Sequence, residues 1–216
     1  MIFIFFACSS SSISMSGDVT PAGDSAVFIS RCQQSDPPAI LLKQETRTSS
    51  CEEAWDFLSR IDSIDISDVQ ISDLSLFSGM TNLKKLSAYE NGISDLTPLI
   101  PLDRMEELYL VSNQISDISP LIHLRQLTVL RLDGNKVENI EILPKLKRLN
   151  RLGLDNNNIR DFMPISRLDD IQALNTNFNP VDIDKCPIEG PGPEKLHKYC
   201  KRMHKHHKKQ EALKEE

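Results

Sequence analysis

Apolar residues recur along this chain with a period of 22, and segments starting at Ile61, Leu83, Met105, Leu127, Leu149 and Ile171 superimpose without a gap. Positions 1, 4, 6 and 11 are the apolar positions, with Thr176 at position 6 of the last segment the exception. Positions 4 and 6 flank an outward residue at 5, the alternation of a short strand with one buried face, so the stacked segments predict a parallel sheet. Position 9 is Asn in Asn91, Asn113, Asn135, Asn157 and Asn179, where the chain turns off the strand, and Val69 stands there in the first copy. An amide at that point can donate to and accept from backbone groups of adjacent turns, which makes the ladder structural.

Asp73, Asp95, Asp117 and Asp161 recur at position 13, where a carboxylate can cap a short helical turn, and Pro98, Pro120 and Pro164 follow three residues later. The return side is therefore expected to be one 3₁₀-like turn per repeat. The fourth copy departs, with Asn139 for the Asp and Ile142 for the Pro, so its return arm is the least determined.

A solenoid exposes core at both ends unless capped. Ser50 and Glu53 form a capping-box pattern that predicts a helix to about Arg60, with Ala54, Trp55 and Leu58 on one face and Trp55 as the plug over the first repeat. Upstream, AVFIS and AILLK read as two short strands around SDPP. Downstream, the loop PIEGPGPEKLHKY turns into a helix at about Pro193. The expected organisation is residues 1–24 as a signal-like segment and Ser-rich tether, 25–60 as N-terminal cap, 61–183 as repeats, 184–203 as C-terminal cap and 204–216 as a basic, His-rich tail.

Composition narrows the classes. Leu and Ile alone supply 47 of 216 residues, enough to build a core, and no apolar run reaches the ~18 residues of a membrane span. The net charge of −6 combines a block, Lys195 to Lys209, holding seven Lys or Arg and no acid, with an acidic remainder of −13. Such a body is a poor general nucleic-acid binder. Four of the five cysteines fall as Cys32 with Cys51 and Cys186 with Cys200, around a cysteine-free centre. Four cysteines allow three pairings; the local one is preferred, and reduced thiols in a cytosolic protein remain the alternative. Bridges of that span would contribute about 3 kcal/mol each and persist only in an oxidising compartment.

The repeats, with LKKLSAYENGISDLTPLIPL and MEELYLVSNQISDISPLIHL as the clearest copies, resemble the leucine-rich repeat pattern. The 22-residue form with I-S-D-L-x-P-L is similar to the short repeats of the bacterial internalin class, and the cysteine-bearing caps with NPVDIDKCP look like secreted bacterial repeat proteins. That resemblance implies an α/β solenoid, a horseshoe with a parallel concave sheet, short 3₁₀ convex turns and two caps, which binds other proteins. The apolar run MIFIFFA before Cys8, followed by SSSSISMSG, resembles the end of a bacterial lipoprotein signal and implies lipidation of Cys8 and membrane anchoring through it, although no basic region precedes it. Export, whether periplasmic, outer-membrane-anchored or secreted, is the expected location, with the cytoplasm as alternative.

Motifs of catalysis are missing. Outside the basic block from Lys195 to Lys209 the sole histidine is His123, on the convex arm of the third repeat, and no G-x-S-x-G, H-E-x-x-H, phosphate-cradling glycine loop or C-x-x-C occurs. Neither an enzyme nor a cofactor is expected. His204, His206 and His207 form a bare histidine tract, which lacks the surrounding groups that orient metal ligands, so no metal site is assigned. The binding surface is instead the outward columns at positions 3, 5 and 7. There Tyr89, Tyr109, Val111, Val129 and Arg131 have the composition of a hot spot, with Asp133, Arg151, Asp155 and Glu107 around them. The expected function is non-enzymatic binding of a protein partner by a monomer, with an intracellular scaffold similar to short-repeat phosphatase regulators as the alternative.

Overall fold

In the computed structural model, residues 25–168 and 170–212 are described, together with the backbone of Ile2–Phe3 and Ser14–Ser16. The period-2 stretches form six parallel strands, β3 (Ser63–Asp65), β4 (Lys85–Ser87), β5 (Glu107–Tyr109), β6 (Val129–Arg131), β7 (Arg151–Gly153) and β8 (Ala173–Asn175). Their register is the repeat itself: Ile64, Leu86, Leu108, Leu130, Leu152 and Leu174 stand side by side, all at position 4 and all buried. At the first edge the backbone of β2 (Ser14–Ser16) pairs antiparallel with β3, and β1 (Ile2–Phe3) with β2. Cys8 and its proposed lipidation lie outside the described residues.

The asparagine ladder does the work foreseen for it. Asn135 Oδ1 accepts from Ile115 N–H at 3.0 Å, while its Nδ2 donates to Leu110 C=O at 2.8 Å and to Leu132 C=O at 3.0 Å. Asn91, Asn113, Asn157 and Asn179 repeat this pattern, each binding its own turn and the repeat before it. The first repeat has no preceding repeat to stitch, and its position 9 is Val69, packed against the core.

One feature of the turn was not read from sequence. Position 8 is left-handed in all six repeats: Asp68, Glu90, Ser112, Gly134, Asn156 and Phe178 have φ between 53° and 70°. The convex side carries the expected 3₁₀ turns, at Leu74–Phe77, Thr97–Leu99, Ser119–His123, Leu143–Lys145, Met163–Arg167 and Ile183–Lys185. The position-13 side chains bond the amide two residues on, and Asn139 does this for Glu141 as the Asp residues do elsewhere. The fourth arm thus keeps the common form, with Pro144 in its turn.

The N-terminal cap differs from expectation. AVFIS and AILLK are not strands but parts of two helices, α1 (Ala26–Gln33) and α2 (Pro37–Thr46), which pack with α3 (Cys51–Leu58). Short apolar runs do not distinguish strand from helix; the deciding chemistry is Asp36, whose carboxylate accepts from Ala39 N–H, followed by prolines in the first turn. Buried Phe28 and Cys32, four apart, and Ala39 and Leu42, three apart, then have helical spacing. Arg31 bonds Asp36 within the cap and Asp73 and Ser75 on the first repeat, fastening one to the other. Trp55 is buried against Phe28, ring centroids 5.6 Å apart, as the plug.

Disulfides join Cys32 to Cys51 and Cys186 to Cys200. The closing helix α4 (Glu194–Ala212) is continuous through residues 203 and 204, so the cap and the described part of the tail are a single element. Tyr199 of α4 packs on Phe162 at 5.8 Å, with Leu196 and Cys200 buried. Before it, Gly192 has φ 109°, and any Cβ there would come within 2.6 Å of the Ser166 Cα, so this close crossing requires glycine.

Interior truncations test this register. Leu130→Ala and Leu152→Ala should each lose roughly 2–5 kcal/mol by leaving a cavity. Asn135→Ala should lose about 1–3 kcal/mol for each buried backbone group it orphans. Urea denaturation midpoints equal to wild type would contradict the stacking described.

Candidate functional site

Strand pleating turns positions 3 and 5 away from the core, and position 7 continues that face into the turn. The side chains gather into two clusters. In the first, the Tyr89 and Tyr109 rings lie 5.9 Å apart, and Lys85 Nζ sits 5.2 Å from the Tyr109 ring centroid and 3.2 Å from Glu107 Oε2. Tyr109 completes this cluster by donating its hydroxyl to Glu107 at 3.1 Å. Both tyrosines are half-buried on the solvent side of the sheet, while Leu108, Ala88 and Leu110 beneath them make the core. Burial raises the Tyr109 phenol above its ordinary value, and the bond and charge of Glu107 add to it. Tyr89 is raised first by burial and then by Tyr109.

The second cluster centres on Arg131, whose Nε donates to Asp133 Oδ2 at 2.7 Å. The pair lies over Gly153: a Cβ there would meet Asp133 Oδ2 at 2.2 Å and Arg131 Nε at 2.3 Å. Glycine at position 5 of the fifth repeat is therefore the space into which Arg131 leans. Burial works against the guanidinium charge, but the Asp133 bond and charge outweigh it and leave the Arg131 pKa raised.

The eight candidate residues separate on inspection. Tyr109 and Arg131 are register partners on adjacent strands, as expected of a shared contact. Tyr89, Val111 and Asp155 are partly exposed and Arg151 is exposed. Val129 and Asp133, expected at the surface, are 7% and 9% exposed, Asp133 with the Arg131 guanidinium against its carboxylate. Asp133 Oδ1 also accepts Asp155 N–H at 3.1 Å, and Asp155 Oδ1 accepts Asn177 N–H at 2.6 Å, so these carboxylates brace the next turn as well as facing the groove. Lys85, at position 3, was missed as a binding candidate; its reach to Tyr109 needed the register of adjacent strands. Among the described residues no group of three or more His, Cys, Asp or Glu could hold a metal ion, and no helix is long and apolar enough to cross a membrane.

Residues 103–145 match the family described as Leucine Rich repeats (2 copies). An internalin of Listeria monocytogenes, InlF, superposes with a TM-score of 0.52 and 32% identity over 54% of this chain and 34% of its own. The chain has the leucine-rich repeat fold. A second such protein, from Leptospira interrogans, aligns with a TM-score of 0.50 and 28% identity over 53% of this chain and 30% of its own. This chain thus spans about a third of the length of either solved relative. No curated protein sequence matches it. The family likeness fits a protein-binding role.

The tyrosine pair gives a pH signature. Its folded pKa values exceed the unfolded value of 10.0, so the native state holds these phenolic protons more tightly. The stability they contribute is complete below about pH 10 and is lost as pH rises through the higher folded values. Ultraviolet titration should show late-ionising phenols, and Tyr109→Phe should remove one; a single ordinary transition for every tyrosine would refute the cluster geometry.

Proposed function

We propose that this leucine-rich repeat protein is an exported, non-enzymatic binding module that presents its concave sheet to a protein partner. The observation that carries the reading is the tyrosine cluster: two rings held against each other and against Lys85 and Glu107, on the face of the sheet that the core does not need. Tyr and Arg are enriched among the residues that carry binding energy at interfaces, Tyr because it buries a large area while losing little side-chain freedom and Arg because its planar fork makes several hydrogen bonds at once. Arg131, already paired with Asp133, offers its remaining donors beside Tyr109 without searching for a geometry. Val111 and Tyr89 supply apolar contact, with Arg151 and Asp155 at the polar margin and the more buried Val129 and Asp133 as support.

Export is supported by the two cap disulfides, since bonds of this kind persist in oxidising compartments. Acylation of Cys8 would add an anchor. Mass mapping of non-reduced peptides from the native host should recover Cys32 joined to Cys51 and Cys186 to Cys200; four free thiols would return the protein to the cytoplasm as an intracellular scaffold.

For the binding face, Tyr109→Ala and Arg131→Ala should each lose about 2 kcal/mol or more of partner affinity while keeping the wild-type melting temperature within a few degrees. His123→Ala and Arg125→Ala, on the exposed convex side, serve as controls and should bind as wild type. Equal affinity in the two concave variants would remove this face from the function.

A further inference from the structure

At the far end of the sheet, a cleft of about 630 Å³ opens between β8 and α4. Its sheet side includes Thr176 and Asn177, and its helix side Lys195, Lys198, Lys201 and Arg202. In a chain with more acids than bases, these cations are poorly matched. Lys198 pairs with Glu194 at 2.8 Å on the exposed helix surface, while Lys195, Lys201 and Arg202 have no carboxylate within 4.0 Å among the described residues. Arg202 stands over the Tyr199 ring, 5.9 Å from its centroid, which limits where its guanidinium can point.

Two backbone donors lie at the same end, one of them on Thr176, a residue 4% exposed on the wall of the cleft. In each of the first five repeats the N–H groups at positions 6 and 8 donate to carbonyls of the next repeat, as Leu154 does to Asn175 and Asn156 to Asn177. The sixth repeat has no successor. The N–H groups of Thr176 and Phe178 accordingly have no acceptor among the described residues. Phe178 itself is unlike its counterparts: position 8 is left-handed, suits glycine or a short polar residue, and holds Asp68, Glu90, Ser112, Gly134 and Asn156 in the other repeats. Here a phenylalanine takes that conformation at φ 59° and stands 82% exposed, so neither backbone nor core accounts for it.

We infer that this end of the sheet is a second binding site, taking an extended acidic segment of a protein partner. The segment adds alongside β8, its carbonyls accepting from Thr176 and Phe178 N–H, its carboxylates reaching Lys195, Lys198, Lys201 and Arg202, and an apolar side chain covering Phe178. Addition of a strand to a free edge gives affinity through main-chain hydrogen bonds and specificity through side-chain contacts. A polypeptide supplies both the carbonyl spacing and the carboxylates. A flat lipid surface or a sulfated glycan would use the charge alone and would have no use for the edge donors. This site goes beyond the concave tyrosine cluster and does not depend on it.

The test uses the full chain and a fluorescein-labelled peptide of alternating Glu and Val with one Phe, followed by anisotropy at physiological salt. Wild type should bind it, and should bind the same peptide with Gln for Glu at least about tenfold more weakly. The combined Lys195→Gln, Lys198→Gln and Arg202→Gln variant should lose about tenfold or more in affinity, whereas Lys205→Gln, Lys208→Gln and Lys209→Gln together, an equal change of net charge outside the cleft, should lose less than about threefold. Phe178→Asn should weaken binding while raising the melting temperature, which keeps the test informative if the charge variant folds poorly. Tyr109→Ala should bind the peptide as wild type. The assignment is overturned by no binding to wild type, or by equal loss in the two charge variants, with heparin or phosphatidylserine vesicles competing in the same way, since α4 would then be a general polycation. Loss with Tyr109→Ala alone would place the acidic peptide on the concave centre, leaving that reading intact and ending this one.

Discussion

Everything in this fold is positioned by one amide that faces two ways. At position 9 the chain leaves the strand, and the carbonyl at position 6 and the amide at position 11 of the preceding repeat face inward with no strand to pair them. The asparagine side chain has the acceptor and donors to satisfy both and to bind its own turn, which ties turn to strand and repeat to repeat. Each asparagine thereby sets its turn at a fixed place against the turn before it, and this keeps positions 3, 5 and 7 aligned in straight columns.

Those columns are not equally free for binding. Position 7 also meets the next repeat's backbone: Ser67 Oγ accepts Tyr89 N–H, Asp133 accepts Asp155 N–H, and Asp155 accepts Asn177 N–H. Where position 7 is polar its side chain is engaged with the scaffold; where it is Tyr89 or Val111 it cannot be, and the side chain remains on the open face. The groove therefore concentrates aromatic and apolar surface in the second and third repeats, beside the Lys85–Glu107 pair, and leaves the fourth and fifth to charged side chains, with Arg131 paired to Asp133. Gly153 sharpens this division, since its missing side chain lets Arg131 lie down toward Asp133.

How far the sequence discloses all this depends on how local the cause is. Strand register, the asparagine ladder and the 3₁₀ turns follow from spacing within a repeat, and each is found where the spacing puts it. The cap helices differ from expectation because four apolar residues in a row carry no period, and the decisive bond, Ala39 N–H to the Asp36 carboxylate, begins in the SDPP segment between the two runs. Which way position 3 and 5 residues point is legible; that Asp133 is buried is not, because the Arg131 side chain that reaches it lies over Gly153 of the next repeat, a placement no pattern within one repeat records. The Phe178 anomaly was present in the sequence all along, visible only once position 8 is known to be left-handed.

The two ends of the sheet solve one physical problem differently. A solenoid must cover the apolar interior of its terminal repeats and deal with the open hydrogen-bonding edge of its terminal strands. At the first end both are handled: the three helices of the cap close the core under a disulfide and Arg31, and β2 pairs with β3 along the edge. At the other end α4 closes the core through Leu196, Tyr199 and Cys200, but a helix has no free backbone groups along its length with which to pair a strand. Covering core with a helix therefore leaves edge donors unpaired as a matter of geometry. Lysines and arginine along that edge discourage pairing with neutral or apolar strands. They also invite the one kind of strand whose charge they would neutralise, so the same residues that guard the edge select what can occupy it.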